Sequence, residues 1–370
     1  MAKNTKKEPL FRMSKRGEVM PGWKAWGTRF IGFLLSLVVS AVVIFAITGL
    51  NPIEVFAKMG EGAFGSAKKS WVTVRDAMTM LCIAVGLAPA FKMRFWNIGA
   101  EGQILVGGLA SAACMIYLKS LPGLVLIIVM MITSLIAGGL WGLLPAVFKA
   151  KWNTNETLFT LMMNYIAIQL TSFFVAQWEN PPGSNSVGVI NGRTGNQGWL
   201  PNLFSSGFNK DFGWNVIIVL AVTLFMYLYL NKSKHGYEIS VIGDSQRTAR
   251  YAGIRVNYAF VRTMVLSGAI CGLAGFVAVS GSSHTISTST AGGRGFTAII
   301  VAWLAQFNSI VMIIFSFLLV VLQKGAQQIA TSFGLNKYIS EMITGIILFF
   351  LLGSEFFVNY KLRFRGRKEK

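Results

Sequence analysis

The sequence predicts an all-α, polytopic membrane protein. Of its 370 residues 54% are apolar and only 13% are charged, and the mean hydropathy is +0.57. Several apolar runs reach or approach the roughly 20 residues that span a bilayer as a helix. The net charge of +20 concentrates in the tails and short loops, as the positive-inside bias of membrane proteins expects. That placement implies a lipid membrane surface, and no nucleic acid, as the partner of the basic residues. The expected division is a basic tail over 1–29, one transmembrane domain over 30–354 and a second basic tail over 355–370. The domain includes a loop over 178–212 on the outside and one over 231–257 in the cytoplasm, where both termini are also expected.

The basic tail runs into the apolar stretch Phe30–Leu50. Both parts are longer than a cleaved signal peptide requires, so this reads as a first span. Residues 51–70 form a short polar or amphipathic segment outside. Gly60–Gly65 is a formal GxGxxG with no strand ahead of it, and so carries no nucleotide-binding meaning. No GxxxxGK[ST] occurs in the chain, so no ATPase of its own is expected. Trp71–Phe91 is a second segment. Arg75 and Asp76 can pair near its outer end, and Pro89 ends or kinks it.

Phe95–Gly108, FWNIGAEGQILVGG, sets polar Asn97, Glu101 and Gln103 among Gly99, Gly102, Gly107 and Gly108. An ionised carboxylate near mid-bilayer costs about 2.5–3.5 kcal/mol on insertion scales. Non-helical backbone at that depth survives only inside protein or along a watery path. One reading is therefore a broken helix lining a translocation pathway. The other is a helix start near the interface, with Asn97 as N-cap and Glu101 in the first turn.

The third segment runs to about Leu118, and Leu121–Gly123 is a turn. The fourth covers Leu124 to about Phe148, with Lys149 and Lys151 marking a cytoplasmic end. In Asn153–Glu156 an N-cap candidate stands three residues before Glu156, a capping-box pattern. The helix Leu158–Val175 follows. Within it Asn164 either holds helices together or lines a path.

Residues 178–212 are rich in Gly, Asn, Ser and Pro, and only Arg193 and Lys210 are basic. Trp178, Trp199 and Trp214 are candidate interface anchors. Asn215–Leu230 returns to the basic loop Asn231–Asn257. There Asp244 or Ser245 can cap a two-turn helix exposing Arg247 and Arg250, which Gly253 can end in the left-handed conformation. Phe260–Gly281 contains the GxxxG of Gly268 and Gly272, which permits close helix packing, and Arg262 can snorkel to the surface. Gly292–Ala305 is too short to span. Like Asn97–Gly108 it opens on glycines after a full helix, which hints at an inverted repeat around a midplane pathway. Ile310–Leu322 and Ile339–Leu352 bring the expected total to about ten membrane-embedded segments.

Three strings resemble, in order, permeases of bacterial ABC importers of the nucleoside and simple-sugar group, within the branched-chain amino-acid permease superfamily. They are Asn97–Gln103 (NIGAEGQ), the Asn155–Ala167 string NETLFTLMMNYIA and the Gly236–Ile254 string GYEISVIGDSQRTARYAGI. The resemblance covers about 95–350. It implies a chain without cofactors of its own, in the bacterial cytoplasmic (inner) membrane. ATP and Mg would be bound by an ATP-binding subunit. A second, homologous permease subunit and an extracytoplasmic substrate-binding lipoprotein would complete the importer. It assigns Gly243, Asp244, Ser245, Arg247, Arg250, Tyr251 and Gly253 to ATPase coupling. Asn97, Gly99, Glu101, Gln103 and Asn164 are the candidates for the pathway. Asp-Ser-Gln-Arg stands here where the group commonly has Asn-Pro-Glu-Ala, and Thr297 stands where it often has Asp.

Cys82, Cys114 and Cys271 sit in apolar runs without a CxxC pair, and read as small buried hydrophobes. His235 and His284 lack a second ligand at metal-binding spacing, so no metal site is expected. An ion-coupled secondary transporter, with Glu101 in a proton relay, is the alternative transport class. An intramembrane enzyme built on His284 and the nearby serines would lack an acid and a nucleophile motif.

Overall fold

The computed structural model describes residues 11–15, 20–193, 195–203 and 212–364. The basic residues expected at the two ends, from Lys3 to Lys7, at Arg16 and from Arg365 to Lys368, lie outside the described residues, as does Lys210. Among the described residues the regular elements are helices apart from one short strand pair. In order come β1 (Phe11–Lys15), α1 (Gly22–Thr48), α2 (Pro52–Phe64), α3 (Ala67–Lys92), α4 (Ala100–Tyr117), α5 (Gly123–Trp152) and α6 (Glu156–Gln177). Then follow α7 (Gly213–Lys232), α8 (Lys234–Asp244), α9 (Gln246–Tyr251), α10 (Val256–Ala278), a π-turn (Val279–Ser283), α11 (Arg294–Leu304), α12 (Ser309–Phe333), α13 (Lys337–Asn359) and β2 (Tyr360–Phe364). Among the described residues nine helices are long and apolar enough to cross a membrane, with α11 as a shorter apolar helix. These are the ten expected segments, and the chain is a multi-pass membrane protein.

The chain divides into two compact units, 1–63 with 322–370, and 64–321. In the first, β1 pairs antiparallel with β2, Phe11 opposite Phe364 and Lys15 opposite Tyr360. The two ends of the chain therefore meet on one side. α1 and α13 pack where Gly32 admits Ser354, whose Cβ would lie 2.7 Å from an added Cβ. Arg29 and Glu355 bridge the same helices at 3.0 Å. The segment expected to be amphipathic is α2, which buries Val55, Met59 and Ala63. Met59 rests on Gly325 of α12, where an added Cβ would meet its Cγ at 2.2 Å.

In the second unit α10 is the central post. In an 18-residue window 83% of Val256–Ser283 is buried, against 28% for α5 and 33% for α6. α3 and α4 are mostly buried too, so these three form the core and the others present apolar faces outward. Small residues make that core possible, because apolar lipid gives no hydrophobic drive between helices and close packing must supply the attraction. The expected GxxxG works here: an added Cβ at Gly268 would meet the Gly138 carbonyl oxygen at 2.3 Å, and one at Gly272 the Ser134 carbonyl oxygen at 2.3 Å, both on α5. On its other side Gly272 receives Gly107 of α4, at 2.4 Å from an added Cβ. Cys82 and Cys271 are buried in this core and Cys114 is half-buried, as expected.

Four local expectations are corrected. Asn153 is the left-handed C-cap of α5, and the N-cap of α6 is Asn155, which accepts from the Leu158 N–H. The Asx-capping chemistry is as expected, but the two helices are so close that the first asparagine closes one and the second opens the next. The N-cap position of α4 is Gly99, not Asn97. Pro89 does not end α3, which continues to Lys92. Arg262 does not snorkel freely; it is held by α8, as described below.

Gly272→Ala is expected to destabilise the chain by about 3 kcal/mol, at the upper end of overpacking costs, because the backbone of α5 blocks the new methyl. Gly345→Ala, inside α13 where an added Cβ meets nothing within 4 Å, should be neutral to stabilising, by up to about 1 kcal/mol. Thermal unfolding of both variants in detergent checks this.

Candidate translocation and coupling sites

The broken-helix segment is built around asparagine and glutamine amides that replace lost helix hydrogen bonds. After α3 the chain turns through Arg94, a non-glycine residue at φ 59°. Asn97 is fully buried, and its Oδ1 accepts from the Gly99 N–H at 3.0 Å. Its Nδ2 donates to Gln103 Oε1 at 3.3 Å and to Ser267 Oγ on α10 at 3.2 Å. Asn164 on α6 works from the other side: its Oδ1 accepts from the Gly102 N–H at 2.9 Å and its Nδ2 donates to the Ile98 carbonyl at 2.9 Å. Thr160 accepts from the Ile98 N–H at 3.2 Å. Backbone groups that would be orphaned in an apolar interior are thus satisfied by side chains.

Glu101 lies in the first turn of α4 and reaches across to α11. Its Oε1 accepts from the Gly293 N–H at 2.7 Å and its Oε2 from the Gly295 N–H at 2.8 Å. The carboxylate thereby closes the open N-terminus of α11 while sitting in the positive end of α4. Two hydrogen bonds to a charged group are worth about 1.5–3 kcal/mol each. That matches the cost of about 2.5–3.5 kcal/mol for placing the charge in the membrane. Glycine is required on the receiving strand. Gly293 has φ 75°, and a Cβ on Gly295 would lie 2.6 Å from the Glu101 nitrogen. Beside it Arg294 is 3.8 Å from Asp76, which also pairs with Arg75 at 2.8 Å as the sequence suggested.

The structure therefore brings Asn97, Gly99, Glu101, Gln103 and Asn164 into one cluster. The four polar side chains are 7% exposed or less. They face other elements of the same chain. Sequence reasoning missed Thr160, Ser267 and the Gly293–Gly295 strand as members. The doubled glycines of the short segment were the available signal for the last.

The second site packs against the last turn of α3. Ser245 caps α9 by accepting from the Thr248 N–H at 3.3 Å. The helix closes in a Schellman arrangement, with Gly253 N–H donating to the Arg250 carbonyl and Ile254 N–H to that of Ala249, both at 3.0 Å. Gly253 takes φ 77° as expected. Asp244, Arg247, Arg250 and Tyr251 are exposed, Tyr251 at 93%. Gly243 is not on that surface: it is buried under α3, and an added Cβ would sit 2.1 Å from the Lys92 carbonyl oxygen. A second tie joins α8 to α10. Arg262 donates to Glu238 at 2.9 Å and contacts His235 Nδ1. Burial opposes the Glu238 charge, yet the hydrogen bonds and charges of Arg262 and His235 outweigh it, and its carboxyl titrates below the ordinary 4.5.

The loop from Trp178 onward is a docked element. Asn191 Nδ2 donates to the Met115 carbonyl at 2.8 Å, and Ser280 Oγ donates to that of Gly198 at 2.6 Å. Val187 and Ile190 join a buried cluster with Met115, Met130 and Phe276. Trp199, expected as an interface anchor, instead stacks on His284 with ring centroids 3.7 Å apart and donates to the Ile190 carbonyl.

Residues 72–352 match the family described as branched-chain amino acid transport system permease component. The chain belongs to this family. It is similar to the glucose ABC transporter permease protein TsgB13 of Haloferax volcanii, at 26% identity over 93% of this chain and 91% of that one. The guanosine ABC transporter permease protein NupP of Bacillus subtilis is 28% identical, over 90% of this chain and 93% of the relative. The nucleoside ABC transporter permease protein NupB of Lactococcus lactis subsp. cremoris is also 28% identical, over 86% and 87%. The chain is thus an ABC-transporter permease, as its three strings implied.

Glu101→Gln places an NH₂ group against one of two N–H donors, and Asn164→Ala strands the Gly102 N–H and the Ile98 carbonyl. Each is expected to cost about 2 kcal/mol or more, read as a lower unfolding temperature in detergent. The Glu238 sign is also defined. Its folded-state pKa is depressed, so its contribution is present above about pH 4.5 and lost as pH falls through the lowered value. Wild type should exceed Glu238→Gln in stability at pH 7, and the two should converge below pH 4.5.

Proposed function

We propose that this chain is a pathway-forming subunit of an ATP-driven importer of nucleosides or simple sugars. It lies in the bacterial cytoplasmic membrane with both termini and α9 in the cytoplasm. ATP and Mg are bound by a partner ATP-binding subunit, a second permease subunit completes the pathway, and an extracytoplasmic binding lipoprotein delivers cargo. The observation that carries this reading is the construction of α9. It is a capped helix presenting Asp244, Arg247, Arg250 and Tyr251 outward while its base is tied to α3 through Gly243 and to α10 through Glu238 and Arg262. A surface helix anchored in this way passes a push from a docked protein to the core. Relatives named as guanosine, nucleoside and glucose permeases support the cargo class.

In this reading ATP binding closes the partner subunits, α9 transmits the motion, and the helices around the pathway rock. Asn97, Gly99, Glu101, Gln103 and Asn164 shape the pathway by fixing the ends of the two broken helices. The ion-coupled alternative gains nothing from Glu101, because backbone N–H groups occupy both its oxygens.

The test is co-purification. A tagged chain extracted in mild detergent is expected to bring down a P-loop ATPase and a second permease, and an Arg247→Glu/Arg250→Glu variant to lose the ATPase. A chain that comes down alone in several detergents overturns the reading.

A further inference from the structure

At the end of the second unit opposite α9, about 30 Å away by the length of the 20-residue α7, a cavity of about 650 Å³ opens between the docked loop, the start of α7 and the π-turn after α10. Its volume falls within the roughly 300–1,000 Å³ of small-molecule sites. Three features mark it as built for a ligand.

The first is strain. The lining residues Asn196, Phe212 and His284 are all non-glycine, and hold φ values of 56°, 69° and 51°. Left-handed backbone is costly outside glycine and gathers at ligand sites. The π-turn that delivers His284 is itself a form concentrated at functional positions.

The second is a buried amide behind the wall. Asn215 is fully buried, and neither its Oδ1 nor its Nδ2 has a hydrogen-bond partner among the described residues. Gly281, which lines the cavity, stands against it: an added Cβ there would lie 2.0 Å from Asn215 Oδ1.

The third is the chemistry of the lining. Trp199 and Trp214 supply aromatic surface, while Asn202 and Ser282 supply donors and acceptors. Among the described residues no Asp, Glu, Lys or Arg lines the cavity. Aromatic surface with neutral hydrogen-bonding groups suits an uncharged, heteroaromatic, hydroxylated molecule. Base-on-aromatic stacking alone contributes about 1–3 kcal/mol.

We propose that this cavity is an outer subsite for an uncharged nucleoside, occupied before cargo reaches the buried Asn97–Gln103 region. The assignment rests on the importer reading above and adds a recognition point to it. Adenosine is the probe. The tagged transporter is purified with its co-purifying subunits and freed of binding lipoprotein, and labelled adenosine and glucose are measured by equilibrium dialysis without ATP.

Saturable adenosine binding is expected. Asn202→Asp, at the exposed rim where folding is not at stake, and Ser282→Ala should each weaken it by about tenfold, the effect of losing one well-made hydrogen bond. Ser289→Ala, exposed and outside the cavity, should leave it unchanged. Equal binding in all variants, no adenosine binding, or binding of glucose alone overturns the subsite. Co-purification of the ATPase in the same preparations separates the two ideas: its absence sinks the importer reading, whereas its presence with unaltered adenosine binding sinks only the subsite.

Discussion

The grip of Glu101 on the N-terminus of α11 is the interaction on which the core depends. α11 has eleven residues, and its first N–H groups open at half-buried to buried positions. A carboxylate on the neighbouring helix satisfies two of them with bonds of 2.7 and 2.8 Å. α4 starts in the same region, and the chain turns back to it through 93–99 after α3 ends at Lys92. That turn in turn has unsatisfied backbone, and Asn97 and Asn164 exist to meet it. One buried charge thus fixes the start of two helices and the identity of two amides.

The glycines of α10 serve the same end by a different route. Gly268, Gly272 and Gly275 let α4 and α5 approach to backbone distance; an added Cβ on Gly275 would lie 2.2 Å from the Ile104 carbonyl oxygen. Contacts that close leave no slack, so α4, α5 and α10 move together. Ser267, on the same helix, binds Asn97, which locks the 93–99 turn to this block. The broken helix is therefore soft in local backbone but firmly held by its surroundings.

Much of this was legible in the sequence because the signals were chemical. Polar residues in apolar runs marked the cluster, doubled glycines marked the start of α11, and Ser245 with Gly253 bracketed α9. Illegible were the partners across space. Nothing near Glu101 in the chain points to Gly293 and Gly295, nearly two hundred residues on. Periodicity likewise does not show that Arg262 meets Glu238 instead of the lipid surface. The error at Asn153 had a different origin. Asparagine favours both helix starts and left-handed helix ends, so two asparagines around one short turn are ambiguous by type. The docked loop was missed because its order comes from hydrogen bonds to Met115 and Ser280, which composition does not encode.

α9 itself has only six residues, too few to be stable alone. Its firmness comes from what it is fastened to. Gly243 sets the end of α8 against the last turn of α3, whose carbonyls are free to be approached because the helix stops there. Glu238 and Arg262 fasten the middle of α8 to the first turns of α10. α3 and α10 are the two most buried helices of the unit, so a displacement of α9 cannot be absorbed by a peripheral helix sliding in lipid. It enters the block that carries Ser267 and Asn97, and through them the turn that positions Glu101. The exposed helix α9 and the bonds that hold the starts of α4 and α11 are in this way continuous, joined by packing and hydrogen bonds rather than by proximity.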